Sequence, residues 1–300
     1  MADRRLQVFH AVAKHLSFTK AADALFMTQP AVTFQVRQLE EQYGTRLFER
    51  RHGGILLTPA GELMYSYAQR ILVLAAEMDT RLAEINGEMR GELLLGAASG
   101  IAEALLPAIL AEFNARYPQV KPRLIVANSE QIAARVADLS LDLGLVEAQQ
   151  APSGLAAELC RADELVAVCT PAYPLAGLAR VAPRTLAEYE YLAREPGSGT
   201  RAVVDAWFND GGVAPAGLKT QLELGSNEAL KGGVATGLGF AILPRPVVGR
   251  ELEAGALVAI PLDPPLSRNI WLVQPEDRFR SRLVSTFARF ARQQLKELPA

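Results

Sequence analysis

The sequence predicts an α/β chain with an all-α amino-terminal part, and three observations predict it. Over the first 60 residues, apolar side chains recur at helical spacing in three short runs, followed by two apolar pieces around Gly53-Gly54. From Gly61 to about Met89 a single apolar stripe continues with no proline, and with no glycine before Gly87. After Gly91 short strand-like runs alternate with helical patterns, the texture of βαβ units.

Arg4 to Leu16 reads as a helix with Leu6, Phe9, Val12 and Ala13 on one face. Ser17 can cap a second, short helix whose Ala21, Ala22 and Leu25 share a face. Thr28 starts a third, with Pro30 in its first turn, where a missing N–H costs nothing. In that helix Val32, Val36 and Leu39 bury one face. The opposite face carries Gln29, Thr33, Phe34, Gln35 and Arg37. Two amides, a hydroxyl, a ring and a guanidinium on the second helix of a helix-turn-helix can read base edges in a major groove. An ordinary solvated face is the other reading of those residues. Thr45 to Thr58 then has hairpin chemistry, Arg46-Leu47-Phe48 and Ile55-Leu56-Leu57 about the two glycines. Arg50, Arg51 and His52 make its tip a basic wing suited to phosphates, or else a solvated loop.

The long stripe places Leu63, Tyr67, Ile71, Leu74, Met78, Leu82 and Ile85 at steps of four, four, three, four, four and three. That repeat keeps one face turned toward a partner over a rod of about 40 Å. A dimer seam is expected, closed by Asn86-Gly87 as a hinge.

Beyond it the order reads as strand 92–98, helix 101–117, strand 121–127, helix 130–139 and strand 142–146, which predicts a parallel sheet with right-handed crossovers. A second unit begins near Asp163: strands 164–169 and 189–194, helix 200–209, strand 219–224, helix 227–236 and strand 239–243. The chain returns through 270–273 to a last helix, 280–295. Two lobes with a late return describe a cleft-and-hinge receptor, with crossings near Cys160 to Asp163 and Pro264 to Arg268. In such sheets ligands gather where strands end and helix N-termini begin. Ser99-Gly100, Asn128-Ser129 and Pro196-Gly197-Ser198-Gly199-Thr200 all stand at such junctions and supply donors without negative charge, a pocket for a small anion. Taken singly, Ser99, Ser129 and Ser198 also read as plain N-caps. Glu147, at the end of the third strand, would meet a hydroxyl or a protonated group of the ligand.

Composition removes other classes. The chain has 300 residues, half of them apolar, and a net charge of −2. Residues 1–60 hold eight basic against five acidic side chains, so the basic excess sits with the helix-turn-helix, as phosphate neutralisation favours. The longest apolar run, Ile71 to Ala76, is far too short to cross a membrane, and MADRRLQVF lacks the outline of a signal peptide. A cytoplasmic protein is expected. Cys160 and Cys169 have no CxxC spacing and no nearby His, so they read as buried thiols in preference to a redox pair, and no metal site is expected. All three histidines lie within the first 60 residues, which leaves the α/β lobes without the base of a Ser-His-Asp site. Gly197-Ser198-Gly199-Thr200-Arg201-Ala202 fits GxGxxA with Glu223 about twenty residues on, so an NAD(P)-binding enzyme stays as an alternative, as does an architectural DNA-binding protein without effector.

Leu6-Gln7-Val8-Phe9, Ser17-Phe18-Thr19, Ala21-Ala22, Thr28-Gln29-Pro30-Ala31-Val32, Leu39-Glu40, Leu47-Phe48-Glu49-Arg50 and Leu57-Thr58-Pro59-Ala60-Gly61 occur in fixed order and together resemble LysR-type transcriptional regulators. The resemblance implies a winged helix-turn-helix DNA-binding domain (1–60), a linker and dimerisation helix (61–90) and an effector-binding domain similar to periplasmic binding proteins (91–300). Lobe I would be 91–161 and 268–300, and lobe II 162–267. It implies no enzyme and no cofactor, and as partners double-stranded operator DNA, a small anionic effector, further copies as a homodimer or homotetramer, and RNA polymerase. Thr28, Arg50 and Arg51 would hold phosphates, while Gln29, Thr33, Phe34 and Arg37 read bases beside Pro30. Phe34 stands where members commonly carry Arg, so a thymine methyl or sugar edge becomes its expected contact. Ser99, Gly100, Ser129, Glu147, Ser198, Gly199 and Thr200 would line the effector pocket. Arg194-Glu195-Pro196-Gly197-Ser198-Gly199-Thr200-Arg201 resembles the branch tied to sulfur-assimilation and carbon-fixation operons, which points to sulfite, another oxyanion or a phosphorylated metabolite.

Overall fold

The structure, a computed structural model, describes residues 4–51, 54–85, 89–276 and 281–297. It divides into two compact units, Met1–Glu88 and Met89–Ala300.

In the first unit α1 (Arg4–His15), α2 (Phe18–Leu25) and α3 (Gln29–Tyr43) pack around Phe9, Val12, Ala21, Val32, Val36 and Leu39. Ser17 caps α2 by accepting the Lys20 N–H, and Gly44 ends α3 in the left-handed conformation that a glycine adopts without strain. The wing is an antiparallel hairpin of β1 (Phe48–Arg51) and β2 (Gly54–Leu57), and α4 (Pro59–Ile85) follows it. Along α4, Leu63, Tyr67, Ile71, Leu74, Met78 and Leu82 are all exposed in the single chain and form an apolar stripe. The expected hinge at Asn86-Gly87 lies outside the described residues, as do His52, Gly53 and the side chain of Ile85.

The second unit runs β3 (Gly91–Ala98), α5 (Ser99–Ala104), α6 (Leu106–Arg116), β4 (Val120–Ala127), α7 (Ser129–Ala137), β5 (Leu143–Ala148), β6 (Leu155–Cys169), α8 (Pro183–Leu186), β7 (Glu190–Arg194), α9 (Gly199–Asp210), β8 (Lys219–Leu224), α10 (Asn227–Ala235), β9 (Ala241–Pro244), α11 (Gly249–Glu253), β10 (Val258–Pro275) and α12 (Arg282–Glu297). The main sheet has the order β4-β3-β5-β10-β6-β9. β3, β4 and β5 are parallel, as expected, but β10 enters antiparallel to both β5 and β6, so the sheet is mixed. β7 pairs with β8 and reaches β9 through a bridge between Tyr191 and Phe240.

Two elements are longer than the sequence pattern suggests. The strands read at 164–169 and 270–273 are the ends of β6 and β10, which run through both lobes. Charged residues at the crossing hide this continuity from a pattern of apolar runs. There Asp163 lies opposite Arg268 in the ladder, with their charges paired, so the strands need not break. Conversely, the expected single helix 101–117 is two, α5 and α6. Pro107 has no N–H for the carbonyl four residues back, and the chain kinks at Leu105, which closes α5 and opens α6.

Each lobe has its own cores, on both faces of its sheet. Ile101, Phe113 and Leu145 with Phe287 and Phe290 of α12 fill one face of lobe I, and Ile132 and Val136 of α7 the other. In lobe II Trp207, Phe208 and Phe240 sit on one side and Leu230, Val234 and Leu243 on the other.

Candidate DNA-reading face and effector cleft

α3 begins after Thr28, which is extended but makes no side-chain cap bond, so its hydroxyl is left for another acceptor or donor. Thr28, Gln29, Pro30, Phe34 and Arg37 are exposed and Thr33 is half-buried. Gln29 Nε2 donates to Thr33 Oγ1 at 3.0 Å, and that hydroxyl donates to the Gln29 carbonyl at 3.0 Å. The pair is thereby held in one arrangement. Phe34 is 56% exposed although apolar, and Arg37 has no partner among the described residues. β1 carries Arg50 and Arg51 in its backbone, opposite Ile55 and Gly54. Their side chains lie outside the described set. One residue escaped the sequence reading: Phe26, at the turn before α3, is 99% exposed and sits in the left-handed region at φ 54°.

In the second unit the strand ends and helix starts converge as expected, with three residues the sequence reading did not select. Arg194, at the end of β7, is buried and donates to Ser99 Oγ at 3.1 Å and to Asn227 Oδ1 at 2.9 Å. Its remaining bonds go to Glu195, at 2.8 and 3.0 Å. It therefore ties the start of α5 to the start of α10. Arg268, on β10 at the crossing, pairs with Glu147 at 2.5 Å and with Asp163 at 3.6 Å, and it also donates to Thr200 Oγ1. Thr200 in turn donates to Glu147 at 3.1 Å. The Glu147 carboxylate is thus balanced by the Arg268 guanidinium and the Thr200 hydroxyl.

Gly100 lies in the middle of this group. A Cβ there would stand 2.7 Å from Asn227 Nδ2, 2.9 Å from Glu147 Oε1 and 3.3 Å from an Arg268 Nη. Glu147 Oε1, Asn227 Nδ2 and Arg268 Nε are buried without hydrogen-bond partners. Buried polar atoms are nearly always paired, so an acceptor and two donors left open in one place make this the candidate effector site.

Three of the expected residues act one step back. Ser129 Oγ accepts the Glu147 N–H at 3.0 Å, and Ser198 Oγ accepts the Arg201 N–H at 3.4 Å. Gly199 presses its backbone on lobe I: a Cβ would lie 1.7 Å from the Glu147 carbonyl oxygen. Around it Glu130 N donates to the Gly197 carbonyl at 3.2 Å and Asn128 Nδ2 to the Pro196 carbonyl at 3.2 Å. The glycines of the GSGTRA run therefore serve lobe-to-lobe contact. Glu223, the acid a dinucleotide ribose would need, is taken by Arg201 at 2.5 Å. Asn227 and Arg268 carry little advance signal, one being the first residue of a helix and the other a single charge in a strand. Arg194 stood next to the glycine loop and was within reach of the same argument.

Cys160 and Cys169 are both buried, and burial pushes each thiol up to about 11. They are nine residues apart on the continuous β6, hence roughly 30 Å at strand rise, and cannot join. Among the described residues no cluster fit to hold a metal occurs, and no helix is long and apolar enough to cross a membrane.

A winged helix-turn-helix unit followed by a two-lobed α/β domain with a polar cleft is the build of a transcription regulator with a ligand-binding domain. Residues 4–62 match the bacterial regulatory helix-turn-helix protein model of the lysR family and residues 86–296 the LysR substrate binding domain. The chain belongs to the LysR family of transcriptional regulators. It is 34% identical over 268 residues to a RuBisCO operon transcriptional regulator of Allochromatium vinosum, covering 89% of this chain and 87% of that one. To the HTH-type transcriptional regulator CysL of Bacillus subtilis it is 30% identical over 247 residues, 82% of each. Both fit the carbon-fixation and sulfur branch that the 194–201 stretch resembles. Among solved structures, the regulatory domain of Synechocystis CcmR in complex with 2-PG matches with a TM-score of 0.64 at 28% identity, covering 70% of this chain and all of that domain. These relatives are regulators, and the enzyme alternative is set aside.

Proposed function

We propose that this regulator binds operator DNA as a homo-oligomer and that a small anion closing the two lobes modulates that binding. The single observation that carries the effector half is the set of unpaired buried atoms around Gly100, flanked by Arg194, Ser99 and Thr200. Donors outnumber acceptors there, so the ligand is rich in oxygen acceptors and brings one hydroxyl or protonated group to Glu147 Oε1. Sulfite, another oxyanion or a phosphorylated metabolite meets the first demand; only a hydroxylated or protonated one meets both. CcmR, with its bound 2-PG, makes that compound the first to try.

For DNA, α3 would enter the major groove with Gln29, Thr33, Phe34 and Arg37 on base edges, Thr28, Arg50 and Arg51 on phosphates, and Pro30 setting the helix start. The exposed stripe of α4 would pair with its copy, which supports the assignment of 61–90 as the dimerisation helix. Residues 1–60 and 91–300 would then be the reading head and the effector domain.

Calorimetric titration of the full chain with 2-PG, sulfite and phosphate tests the cleft. Arg194→Ala should weaken binding of the preferred anion at least tenfold, the loss of about 1.4 kcal/mol or more expected for charge-assisted bonds. Unchanged affinity would place the effector elsewhere. On the operator, Arg37→Ala should cost about 1–3 kcal/mol and relax preference at one base position; an unaltered affinity would show that α3 is not the reader.

A further inference from the structure

A second polar cavity lies away from the cleft, on the flank of α12. It has a volume of about 220 Å³ and is lined by Glu158, Gln274, Ser285, Ala288, Arg289 and Arg292. The four helix residues fall at spacings of three, one and three, a single stripe of α12 beside the buried one formed by Phe287, Phe290, Ala291 and Leu295. Glu158 and Gln274 come up from β6 and β10, where Glu158 pairs with Leu272 in the ladder, two residues before Gln274.

The groups that meet there are unequal in kind. Arg292 is paired with Glu158, whereas Arg289 has no partner among the described residues. Gln274 is 2% exposed, and its Nε2 is buried without a hydrogen-bond partner. Two guanidinium groups and a hydroxyl line the cavity beside one carboxylate that is already engaged, with the unpartnered Gln274 amide buried at its wall. The cavity thus holds a net positive charge and a surplus of donors, while Ala288 keeps room between the arginines' turns. An acceptor-rich, negatively charged guest satisfies that set.

We infer that this cavity is a second ligand site, taking a small anion that bears a carboxylate or phosphate, independent of the guest in the cleft. Its anionic group would bridge Arg289 and the free side of Arg292, with an oxygen accepting from Gln274 Nε2. The site also has a route to the cleft. Glu158 lies five residues before Asp163 on β6, and Gln274 six after Arg268 on β10, roughly 16–20 Å along the same two strands. An anion that draws Arg292 away from Glu158 therefore acts on the strands that carry the buried crossing pair.

The test uses the full chain, titrated with inorganic phosphate and separately with malonate, by thermal shift and calorimetry, against chloride at matched ionic strength. One of the two should give saturable binding that Arg289→Ala weakens about tenfold or more and that Gln274→Met also weakens. Arg289 is exposed, so its loss should leave the fold intact. Binding through this cavity should persist in the cleft variant Arg194→Ala, which separates the two sites. The phosphate and malonate arms tell which head group the arginines prefer. The inference is overturned if neither probe binds saturably up to millimolar concentration, if both cavity variants bind as wild type, or if Arg194→Ala removes all binding.

Discussion

Replacing Gly199 by alanine should produce a folded chain that cannot close its lobes. The added Cβ would sit 1.7 Å from the Glu147 carbonyl oxygen and 2.9 Å from Ser129 Oγ, against an ordinary contact of 3.4 Å or more. Lobe II must withdraw by about 1.7 Å, since neither the Glu147 carbonyl, fixed in the sheet, nor the start of α9 can yield alone. That movement breaks at least three contacts across the cleft: Glu130 N to Gly197 O, Asn128 Nδ2 to Pro196 O, and Thr200 Oγ1 to Glu147. At about 1 kcal/mol net for each, the closed form loses about 3 kcal/mol, a shift in closed against open population of the order of 10²-fold. Hydrogen exchange reads this directly. The Glu130 amide, whose acceptor is in the other lobe, should lose protection by that factor, while amides of β3 and β5 keep theirs. Effector affinity should fall in proportion, because only the closed form brings Thr200 to Glu147. Wild-type protection at Glu130 together with wild-type affinity would refute the claim that this glycine holds the lobes in contact.

Other perturbations test separate parts of the molecule. Arg268→Met leaves Glu147 and Asp163, 2% and 4% exposed, without their shared cation; denaturant titration should show a loss of about 3–5 kcal/mol, and Glu147→Gln in the same chain should restore part of it. Phe26→Gly removes a bulky residue from φ 54° where its side chain buries nothing, so the amino-terminal unit should gain about 1 kcal/mol in thermal unfolding. Both cysteines should resist iodoacetamide at pH 8 in the native chain and react once it is unfolded. Their thiols are raised from 9.0 to about 11, so the fold favours the protonated form; that contribution is complete below pH 9 and is lost as pH rises toward 11. A native chain alkylated as fast as the unfolded one would show the thiols to be accessible.

How much was legible in the sequence follows from where each signal resides. The reading head was legible because its information is local: a cap at Ser17, a proline near the start of α3 and a four-three apolar step at Val32, Val36 and Leu39 all lie within one stretch. The helix starts at Ser99, Ser129 and Ser198 were legible for the same reason. Arg268 was not, because its meaning is supplied by Glu147, Asp163 and Thr200, brought to it by two strands and a helix far away in sequence. The lengths of β6 and β10 were lost for a related reason. A strand interrupted by charge looks like two strands until the opposite strand is known to carry the complementary charge.

That pairing also explains how the domain can open. Each lobe closes its own apolar cores, Ile101, Phe113 and Phe287 in one and Trp207, Phe208 and Phe240 in the other, with no core residue shared between them among the described residues. What joins the lobes is polar: the three hydrogen bonds opposed by Gly199→Ala, the Arg194 links and the Arg268 cluster. Separation therefore exposes polar groups to water, which replaces part of each lost bond, and leaves the cores intact. The continuous β6 and β10 keep the lobes attached while they part, and both register shifts between them fall beside the crossing, at Pro261/Leu266 and Ile270/Trp271. On the proposed function, opening would cost a few kcal/mol, the scale on which one well-placed anion acts. A ligand that prefers the closed form by about 2.7 kcal/mol changes the ratio of forms about a hundredfold. Had the lobes been joined by a shared apolar core, the same ligand would find a rigid domain and nothing to shift.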